Sequence, residues 1–346
     1  MLLVGNFLSR HLGTMAVCEE LAAKLRTAGW PVLTTSDRPG RLDRVPDMVG
    51  TIWRRRRDYA VAQVDVFSGA AFLNAEAACL TLRRAGKPYI LTLHGGNLPA
   101  FAARWPGRIG RLLRSAAVVT TPSGYLLERM RPFAPAGVDL LLLPNPVDLG
   151  AYAYRPRPQP RPHLVWLRAF HAVYNPALAA EVVARLAPDF PDTRLIMVGP
   201  DKGDGSRQQT EAAIARLGIA HRVNLVGGVP KSGVPAWLDR GDIFLNTTTV
   251  DNTPISVMEA MAAGLCVVST NVHGIPYLLD DGREALLVPP GDPAAMAGAV
   301  RRLLCEPGLA ERLSRAARAK VERSSWEHVL PAWEGLFRRL AGETAT

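Results

Sequence analysis

The chain alternates short apolar runs, rich in β-branched residues, with longer segments of helical periodicity. Such runs are typical of buried parallel strands, and parallel neighbours need long crossover connections that are usually helices. The alternation therefore predicts parallel sheets covered by helices, which is an α/β fold. The candidate strands are 2–6, 32–36, 62–67, 89–94, 117–121 and 140–145 in the front half, and 164–169, 194–199, 222–227, 242–246, 266–270 and 285–289 in the back half.

A proline-rich segment separates the two halves. Residues 144–162 contain six prolines and no apolar periodicity, which is typical of a stiff connector. We therefore expect two doubly wound, Rossmann-like domains over residues 1–148 and 149–326, with a cleft between the carboxyl ends of their sheets. The amphipathic segment 327–346 is expected to complete the first domain, and packing on the second domain is the alternative.

Size and composition restrict the class of protein. A chain of 346 residues with 48% apolar residues can build a large core, and no apolar run reaches the ~18 residues that span a bilayer. The start of the sequence has no basic segment or cleavage site of a signal peptide, so a cytoplasmic location is expected. No Asp-x-Asp motif lies in a suitable loop, and no metal is expected. The four cysteines lack metal-ligand spacing and are expected to be buried free thiols; they are Cys18, Cys79, Cys266 and Cys305.

The net charge of +10 is concentrated in the front half. Residues 1–148 hold 19 Lys and Arg against 11 Asp and Glu, whereas the remainder holds 22 against 20. The spacing of Arg104, Arg108, Arg111 and Arg114 predicts one basic helix face. That face could meet anionic lipid or a phosphate-bearing substrate, or it could be a solvated face of an arginine-rich chain. No aromatic–basic interleaving or recognition helix accompanies the charge, so no nucleic-acid partner is expected.

The segment DNTPISVMEAMAAG (251–264) contains a helix-start signal between two predicted strands. Thr253 can cap a helix, Pro254 is tolerated at the first helical position, and Gly264 is placed to end the helix. In open parallel sheets, ligands bind beyond the carboxyl ends of the strands, where helix amino ends point. The N–H groups of residues 255–257 should therefore be free to bind a phosphate.

Two carboxylates, Asp251 and Glu259, flank that helix start. Because they would repel a bound diphosphate, they should face its neutral ends, where carboxylates can bind paired sugar hydroxyls. The arrangement suits a sugar–diphosphate–ribose, such as a nucleotide sugar. The spacing alone supports an alternative equally well, in which Asp251 is an ordinary loop acid and Glu259 is a solvated helix acid.

Residues 251–300 resemble the donor-site region of the retaining glycosyltransferases of family 4, which have the GT-B architecture. They carry that family's acid-x7-acid motif, followed by EAMAAGLCVV where the family has EAMAxGxPVV. Weaker matches extend over nearly the whole chain, including LTLHGG (91–96) and PNPVD (144–148). The resemblance implies retaining transfer of a sugar from a nucleotide-diphosphate sugar, without a metal or other cofactor.

The resemblance also implies roles for single residues of the back half. Glu259 matches the acid that binds the nucleotide ribose, and Asp251 matches an acid, usually Glu, that contacts hydroxyls of the donor sugar. Asp is one methylene shorter, so the sugar can sit differently. The residues between them match positions whose backbone meets sugar and phosphate; these are Asn252, Thr253, Pro254 and Ile255.

Further matches supply the reacting centre. His94 matches the histidine beside the reacting sugar, Gly13 the glycine whose backbone approaches the diphosphate, and Arg168 the arginine that clamps it. The family usually has a lysine shortly after that arginine, and this sequence lacks it. Lys202 or Lys231 could substitute, or either could be a surface lysine.

The sequence therefore predicts a cytoplasmic glycosyltransferase, with a peripheral position at the inner face of the cell membrane as a further expectation. The acceptor is expected to be a glycan or lipid-linked intermediate in cell-surface polysaccharide synthesis. A nucleotide-sugar 2-epimerase or a phosphorylase of the same architecture is the alternative, and a nucleic-acid-binding protein is a remote one.

Overall fold

The structure is a computed structural model that describes residues 1–9 and 15–342. The chain divides into a front unit, Met1–Pro146 with Trp326–Thr346, and a back unit, Val147–Ser325. Each unit is built on a six-stranded sheet in which all neighbouring strands are parallel. The α/β fold is confirmed, and all twelve predicted strands are present. Ten are shorter than predicted, strand 266–270 has the predicted bounds, and strand 164–169 instead runs over 163–167.

The front sheet has the spatial order β2-β1-β3-β4-β5-β6. Its strands are β1 (Leu2–Val4), β2 (Leu33–Thr35), β3 (Ala62–Val66), β4 (Tyr89–Leu93), β5 (Val118–Thr121) and β6 (Leu140–Leu142). The helices between them are α1 (Val17–Thr27), α2 (Arg41–Arg54), α3 (Ala71–Arg84), α4 (Leu98–Arg104), α5 (Pro106–Arg114) and α6 (Gly124–Met130).

The back sheet has the spatial order β12-β11-β10-β7-β8-β9. Its strands are β7 (His163–Leu167), β8 (Arg194–Val198), β9 (Val223–Gly227), β10 (Ile243–Asn246), β11 (Cys266–Thr270) and β12 (Ala285–Val288). Its helices are α7 (Pro176–Leu186), α8 (Ser206–Arg216), α9 (Val234–Leu238), α10 (Ile255–Ala262), α11 (Ile275–Leu278), α12 (Pro293–Cys305) and α13 (Leu309–Glu322). Short 3-10 turns lie at Arg131–Phe133, Leu149–Ala151, Ala172–Tyr174, Ala220–Arg222 and Lys231–Gly233.

The order of the back sheet reverses between β7 and β10, because the chain runs outward from β7 to β9 before it returns to form β10. At such a switch point the two flanking connections leave the sheet in opposite directions. A crevice therefore opens beyond the carboxyl ends of the two central strands. Arg168 directly follows β7, and Asp251 lies in the connection that follows β10.

The terminal helix α14 (Trp326–Ala341) packs on one face of the front sheet. Trp326, Trp333 and Phe337 are buried there in one cluster with Met1 and Leu3. The final segment of the chain thus completes the core of the front unit. Within the described residues, no helix is both long enough and apolar enough to cross a membrane.

Two expectations about single residues of the sequence are wrong. The predicted basic helix face is interrupted, because α4 ends at Arg104 and α5 begins at Pro106, so Arg104 belongs to a different helix from Arg108, Arg111 and Arg114. The prolyl ring cannot donate the hydrogen bond that would continue α4. Cys305, at the end of α12, is exposed, whereas the other three cysteines are buried free thiols.

A buried carboxylate anchors the connector to the back sheet. Asp242, which immediately precedes β10, accepts hydrogen bonds from Arg155 Nη2 at 2.8 Å and from Arg161 Nε at 2.9 Å. Burial alone would raise the pKa of Asp242, but the hydrogen bonds from Arg161 and Arg155 lower it to about 2. The neighbouring Arg157 guanidinium is buried, and burial, with repulsion from Arg155, lowers its pKa to about 10.

This lowered pKa predicts an acid-dependent loss of stability. The unfolded carboxyl titrates near 3.8, so the stabilisation is complete above about pH 4 and disappears as the pH falls towards 2. A shift of this size corresponds to roughly 2 kcal/mol of unfolding free energy. In urea unfolding, the stability gap between wild type and Asp242→Asn should therefore shrink by about that amount between pH 6 and pH 2.5. A gap that is independent of pH would contradict this assignment.

Candidate active site

Arg168 is held at the switch point by a close approach of two main-chain segments. Its N–H donates to the carbonyl of Val198 at 3.0 Å, at the end of β8. A Cβ atom placed on Gly199 would lie 1.7 Å from the carbonyl oxygen of Arg168. Only glycine allows this approach, so the sequence after β8 fixes where the arginine leaves the sheet.

The guanidinium of Arg168 is enclosed by an acid and an aromatic ring. It forms an ion pair with Asp251, and its Cζ atom lies 4.3 Å from the ring centroid of Tyr174. Burial lowers the pKa of Arg168, while the charges of Tyr174 and Glu259 act in the opposite direction. Because an arginine keeps its proton in proteins, the group remains a cation that is ready to bind an anion.

The helix start differs from the predicted one by a single residue. Pro254 has extended backbone angles and is itself the N-cap of α10, which begins at Ile255. The N–H of Val257 donates to the carbonyl of Pro254 at 3.2 Å, so the expectation that it is free is wrong. In the described part of the chain, the N–H groups of Ile255 and Ser256 have no acceptor, and the buried Ser256 hydroxyl has no hydrogen-bond partner. Three donors are thus available at one helix end.

The loop after β11 supports the loop that carries Asp251. Gly274 donates its N–H to the carbonyl of Asp251 at 3.1 Å, and a Cβ atom on Gly274 would lie 2.0 Å from the carbonyl oxygen of Asn252. Asn252 is buried, and its own N–H donates to the carboxylate of Asp251 at 2.9 Å. These contacts fix the backbone of residues 251–254 beside the helix start.

Glu259 is buried on α10, and two groups bind its carboxylate. Its side chain is 4% exposed, Tyr152 donates its hydroxyl proton to Oε1 at 2.8 Å, and the ammonium of Lys231 contacts the same oxygen. A buried carboxylate without such partners would be strongly destabilising. The expectation that Glu259 is an ordinary solvated helix acid is therefore wrong.

The two lysines proposed as substitutes for the missing family lysine have different environments. Lys231 lies in the turn after β9 and reaches Glu259. Lys202 lies in the loop after β8, where its backbone N–H donates to the carbonyl of Phe170 at 3.1 Å, and its side chain is exposed. Among the described residues, no carboxylate forms an ion pair with Lys202. The geometry places only Lys231 beside a site acid.

In the front unit, His94 is paired with an acid that the sequence analysis did not single out. Its Nε2 lies 3.0 Å from Oδ1 of Asp65 on β3, and its ring stacks on Phe67 with centroids 5.0 Å apart. Both side chains are largely buried, with 12% and 7% exposed. If Nε2 carries the proton that Asp65 accepts, Nδ1 of the neutral ring keeps a lone pair.

Some predicted features cannot be placed. Gly13 and its neighbour Thr14 lie outside the described residues, so the predicted approach of Gly13 to a diphosphate stays a prediction. Within residues 1–9 and 15–342, no three His, Cys, Asp or Glu side chains are grouped so that they could hold a metal ion.

Four contributors to these clusters were not predicted as site residues. They are Tyr152, Tyr174, Ser256 and Asp65. Tyr174 had a partial signal, because it lies within residues 172–174, where the family usually has a lysine, and Asp65 had one as an acid in an apolar strand. Tyr152 meets Glu259 across 107 positions of sequence, a pairing that spacing in the sequence does not indicate.

Comparison with known families covers the back unit most directly. Residues 161–306 match the family model described as Glycosyl transferases group 1. The chain is 29% identical over 182 residues to D-inositol 3-phosphate glycosyltransferase of Acidothermus cellulolyticus, an alignment that covers 50% of this chain and 40% of that protein. The chain thus spans less than half of that relative.

Two comparisons extend over both units. The chain is 27% identical over 276 residues to phosphatidyl-myo-inositol mannosyltransferase of Mycobacterium tuberculosis, covering 77% of this chain and 71% of that protein. The structure of Anabaena HepE in complex with UDP and glucose superposes with a TM-score of 0.76 at 17% identity, covering 97% and 98% of the two chains. The matched model and the shared two-sheet fold lead to one conclusion: residues 161–306 belong to the glycosyl transferases group 1, and the chain has the GT-B fold.

Proposed function

We propose that the chain is a retaining, metal-independent glycosyltransferase that moves a sugar from a nucleotide-diphosphate sugar to a glycan or lipid-linked acceptor in cell-surface glycan synthesis. One observation carries the proposal: the start of α10 offers free N–H donors between two acids, and each acid is paired with a cation. A diphosphate suits the donors and the cations. Hydroxyls of the sugar and of the ribose can donate hydrogen bonds to the two acids.

Donor binding would exchange the partners of the site cations. In the structure, Arg168 binds Asp251 and Lys231 binds Glu259, so all four charged groups are already neutralised in pairs. Both cations would then bind oxygens of the diphosphate, and the acids would accept hydrogen bonds from hydroxyls. Around each cation, a phosphate charge would replace a carboxylate charge, and each carboxylate would exchange its ionic contact for hydrogen bonds from hydroxyls.

The same groups account for catalysis without a metal. When the bond from the sugar to the diphosphate breaks, negative charge develops on the leaving phosphate oxygen. Arg168 and the amino end of α10 would stabilise that charge, because they are fixed in place before the reaction. The Tyr174 ring holds the guanidinium in one orientation from its other side.

In the front unit, we propose that the pair of His94 and Asp65 acts on the reacting sugar. The carboxylate fixes the ring and its proton on one nitrogen, which leaves the other nitrogen available to a substrate hydroxyl. No general base is assigned. The configuration of the transferred sugar would be retained, because the acceptor would attack the sugar on the face from which the nucleotide leaves.

A membrane-associated acceptor is the less direct part of the proposal. A relative that matches both units is named as a phosphatidyl-myo-inositol mannosyltransferase, which acts on a lipid. In the front unit, Trp105 is exposed between α4 and α5, and Arg111 and Arg114 are exposed on α5. Exposed indole and guanidinium groups suit an anionic membrane interface. We therefore propose a peripheral position at the inner face of the cell membrane.

The reaction class can be tested without knowledge of the acceptor. Purified protein is incubated with UDP-, GDP- and ADP-sugars, alone and with lipid extract. Product that requires the extract supports a transferase. Epimerised donor formed without any acceptor would favour the 2-epimerase instead.

The first prediction concerns Glu259. Glu259→Gln keeps the size of the side chain but removes the charge that would strengthen the hydrogen bonds from the ribose hydroxyls, so affinity for the preferred nucleotide sugar should fall roughly 10- to 100-fold. The measurement is a calorimetric titration, with a thermal-shift panel used first to find the preferred base. Glu306→Gln, an exposed acid that pairs with Arg302, is the matched control and should leave affinity unchanged. Equal affinities of wild type and Glu259→Gln would overturn the ribose assignment.

A second prediction separates the two lysines. Lys231→Met should weaken binding of the nucleotide sugar about tenfold or more, because it removes a cation beside the diphosphate. Lys202→Met should have a smaller effect, since Lys202 forms no ion pair with an acid among residues 1–9 and 15–342. Circular dichroism checks that both variants are folded. A larger loss in Lys202→Met would reverse the assignment.

A third prediction concerns the membrane. Flotation with vesicles that contain anionic lipid should exceed flotation with neutral vesicles, and Arg111→Gln/Arg114→Gln should reduce it roughly 10- to 30-fold. The control is Arg315→Gln/Arg323→Gln, which removes the same charge from α13 and its C-cap in the back unit. Equal flotation with both kinds of vesicle would remove the membrane proposal.

A further inference from the structure

A cavity of about 290 Å³ lies at the amino-terminal edge of the back sheet. It is lined by the starts of β7, β8 and β9 and by the residues that precede β9 and β10. Half of its ten lining residues are basic and none is acidic; the basic ones are His163, Arg194, His221, Arg222 and Arg240.

The sheet register forces these basic groups together. His163 and Arg194 are direct partners at the first positions of β7 and β8. Arg222 immediately precedes Val223, which is the partner of Leu195, so Arg222 lies beside Arg194 at the next strand. Adjacent strands are ~4.8 Å apart, and like charges directly opposite each other are destabilising. Three neighbouring strands thus begin with a row of basic residues.

No carboxylate neutralises the three arginines. Within the described residues none of them forms an ion pair; Arg194 and Arg222 donate to the carbonyl of Thr193 at 3.3 and 3.5 Å, and the guanidinium of Arg240 stacks 4.1 Å above the ring of Trp237. Carbonyl and aromatic contacts orient a guanidinium while its full charge remains. The cavity therefore keeps an excess of positive charge.

The acids near the cavity do not neutralise its positive charge. Burial, followed by repulsion from Arg161, lowers the pKa of His163, and the attraction of Asp242 and Asp192 does not offset this. Asp242 is already held by hydrogen bonds from Arg155 and Arg161. Asp192, in the turn before β8, adds a negative charge near His163.

We propose that this cavity binds a small phosphate-bearing anion, of the size of a pyrophosphate or a sugar phosphate. Guanidinium forks match phosphate oxygens, and the volume lies at the lower end of small-molecule sites, which begin near ~300 Å³. The cavity is separate from the crevice that holds Arg168. Its residues begin the strands, Arg168 follows the end of β7, and a strand of five residues is about 16 Å long.

The test is calorimetric titration of the whole chain with inorganic pyrophosphate. In Arg194→Gln/Arg240→Gln, the affinity of the cavity for pyrophosphate should fall at least tenfold, so one binding event should disappear from the titration. This result is expected whether or not the crevice at Arg168 also binds pyrophosphate. Arg168→Gln should retain the event. Both substituted residues of the double variant are exposed, so folding should be preserved, and circular dichroism checks it.

Arg315→Gln/Arg323→Gln removes the same charge from α13 and its C-cap, outside the cavity, and should bind as wild type does. An equal loss in this control would show a general charge effect and would overturn the site. Unchanged binding in Arg194→Gln/Arg240→Gln would also overturn it.

A second arm identifies the source of the phosphate group. Sedimentation with phosphatidylcholine vesicles, with and without phosphatidic acid, is compared for wild type and Arg194→Gln/Arg240→Gln. Pyrophosphate binding that depends on these arginines supports a soluble ligand. If only binding to phosphatidic acid vesicles depends on these arginines, the ligand is a lipid headgroup. If the double variant loses neither pyrophosphate binding nor vesicle binding, the proposal is contradicted.

Discussion

The buried carboxylate of Glu259 is the constraint on which the candidate site depends. A charge that is almost removed from solvent must be compensated, and Lys231 and Tyr152 do so from segments far apart in the sequence. The same requirement at Asp251 fixes Arg168. The crevice at the switch point is therefore ordered before any ligand arrives, and its cations and helix amino end already face one region of the back unit. An anionic ligand would replace existing ionic contacts instead of creating a charged site from a disordered one.

Much of the fold could be predicted from the sequence, because a buried parallel strand leaves a local signal. All twelve strands follow from apolar, β-branched runs, and the position of α10 follows from Pro254 and Gly264. The start of α10 was misplaced by one residue, since a proline can serve as the N-cap as well as the first helical residue. The break between Arg104 and Pro106 was missed because the arginine spacing alone continues through it.

The candidate site was less predictable, because its partners meet through the tertiary structure. The sequence indicated the two acids and Arg168, but it gave no way to choose between Lys202 and Lys231, or to find Tyr152. Charge counting has the same limit. The back half has a net charge of only +2, yet its sheet separates a basic cavity at one edge from paired charges at the other. A sum over a domain hides such local separation.

The central claim is that a diphosphate binds at the amino end of α10. It would replace Asp251 and Glu259 as the ionic partners of Arg168 and Lys231. A crystal structure with the preferred nucleoside diphosphate tests this most directly. The account predicts phosphate oxygens within hydrogen-bond distance of the N–H groups of Ile255 and Ser256 and of the Arg168 guanidinium, with the ribose hydroxyls on Glu259. A nucleotide bound elsewhere, with both carboxylate–cation pairs intact, would contradict it.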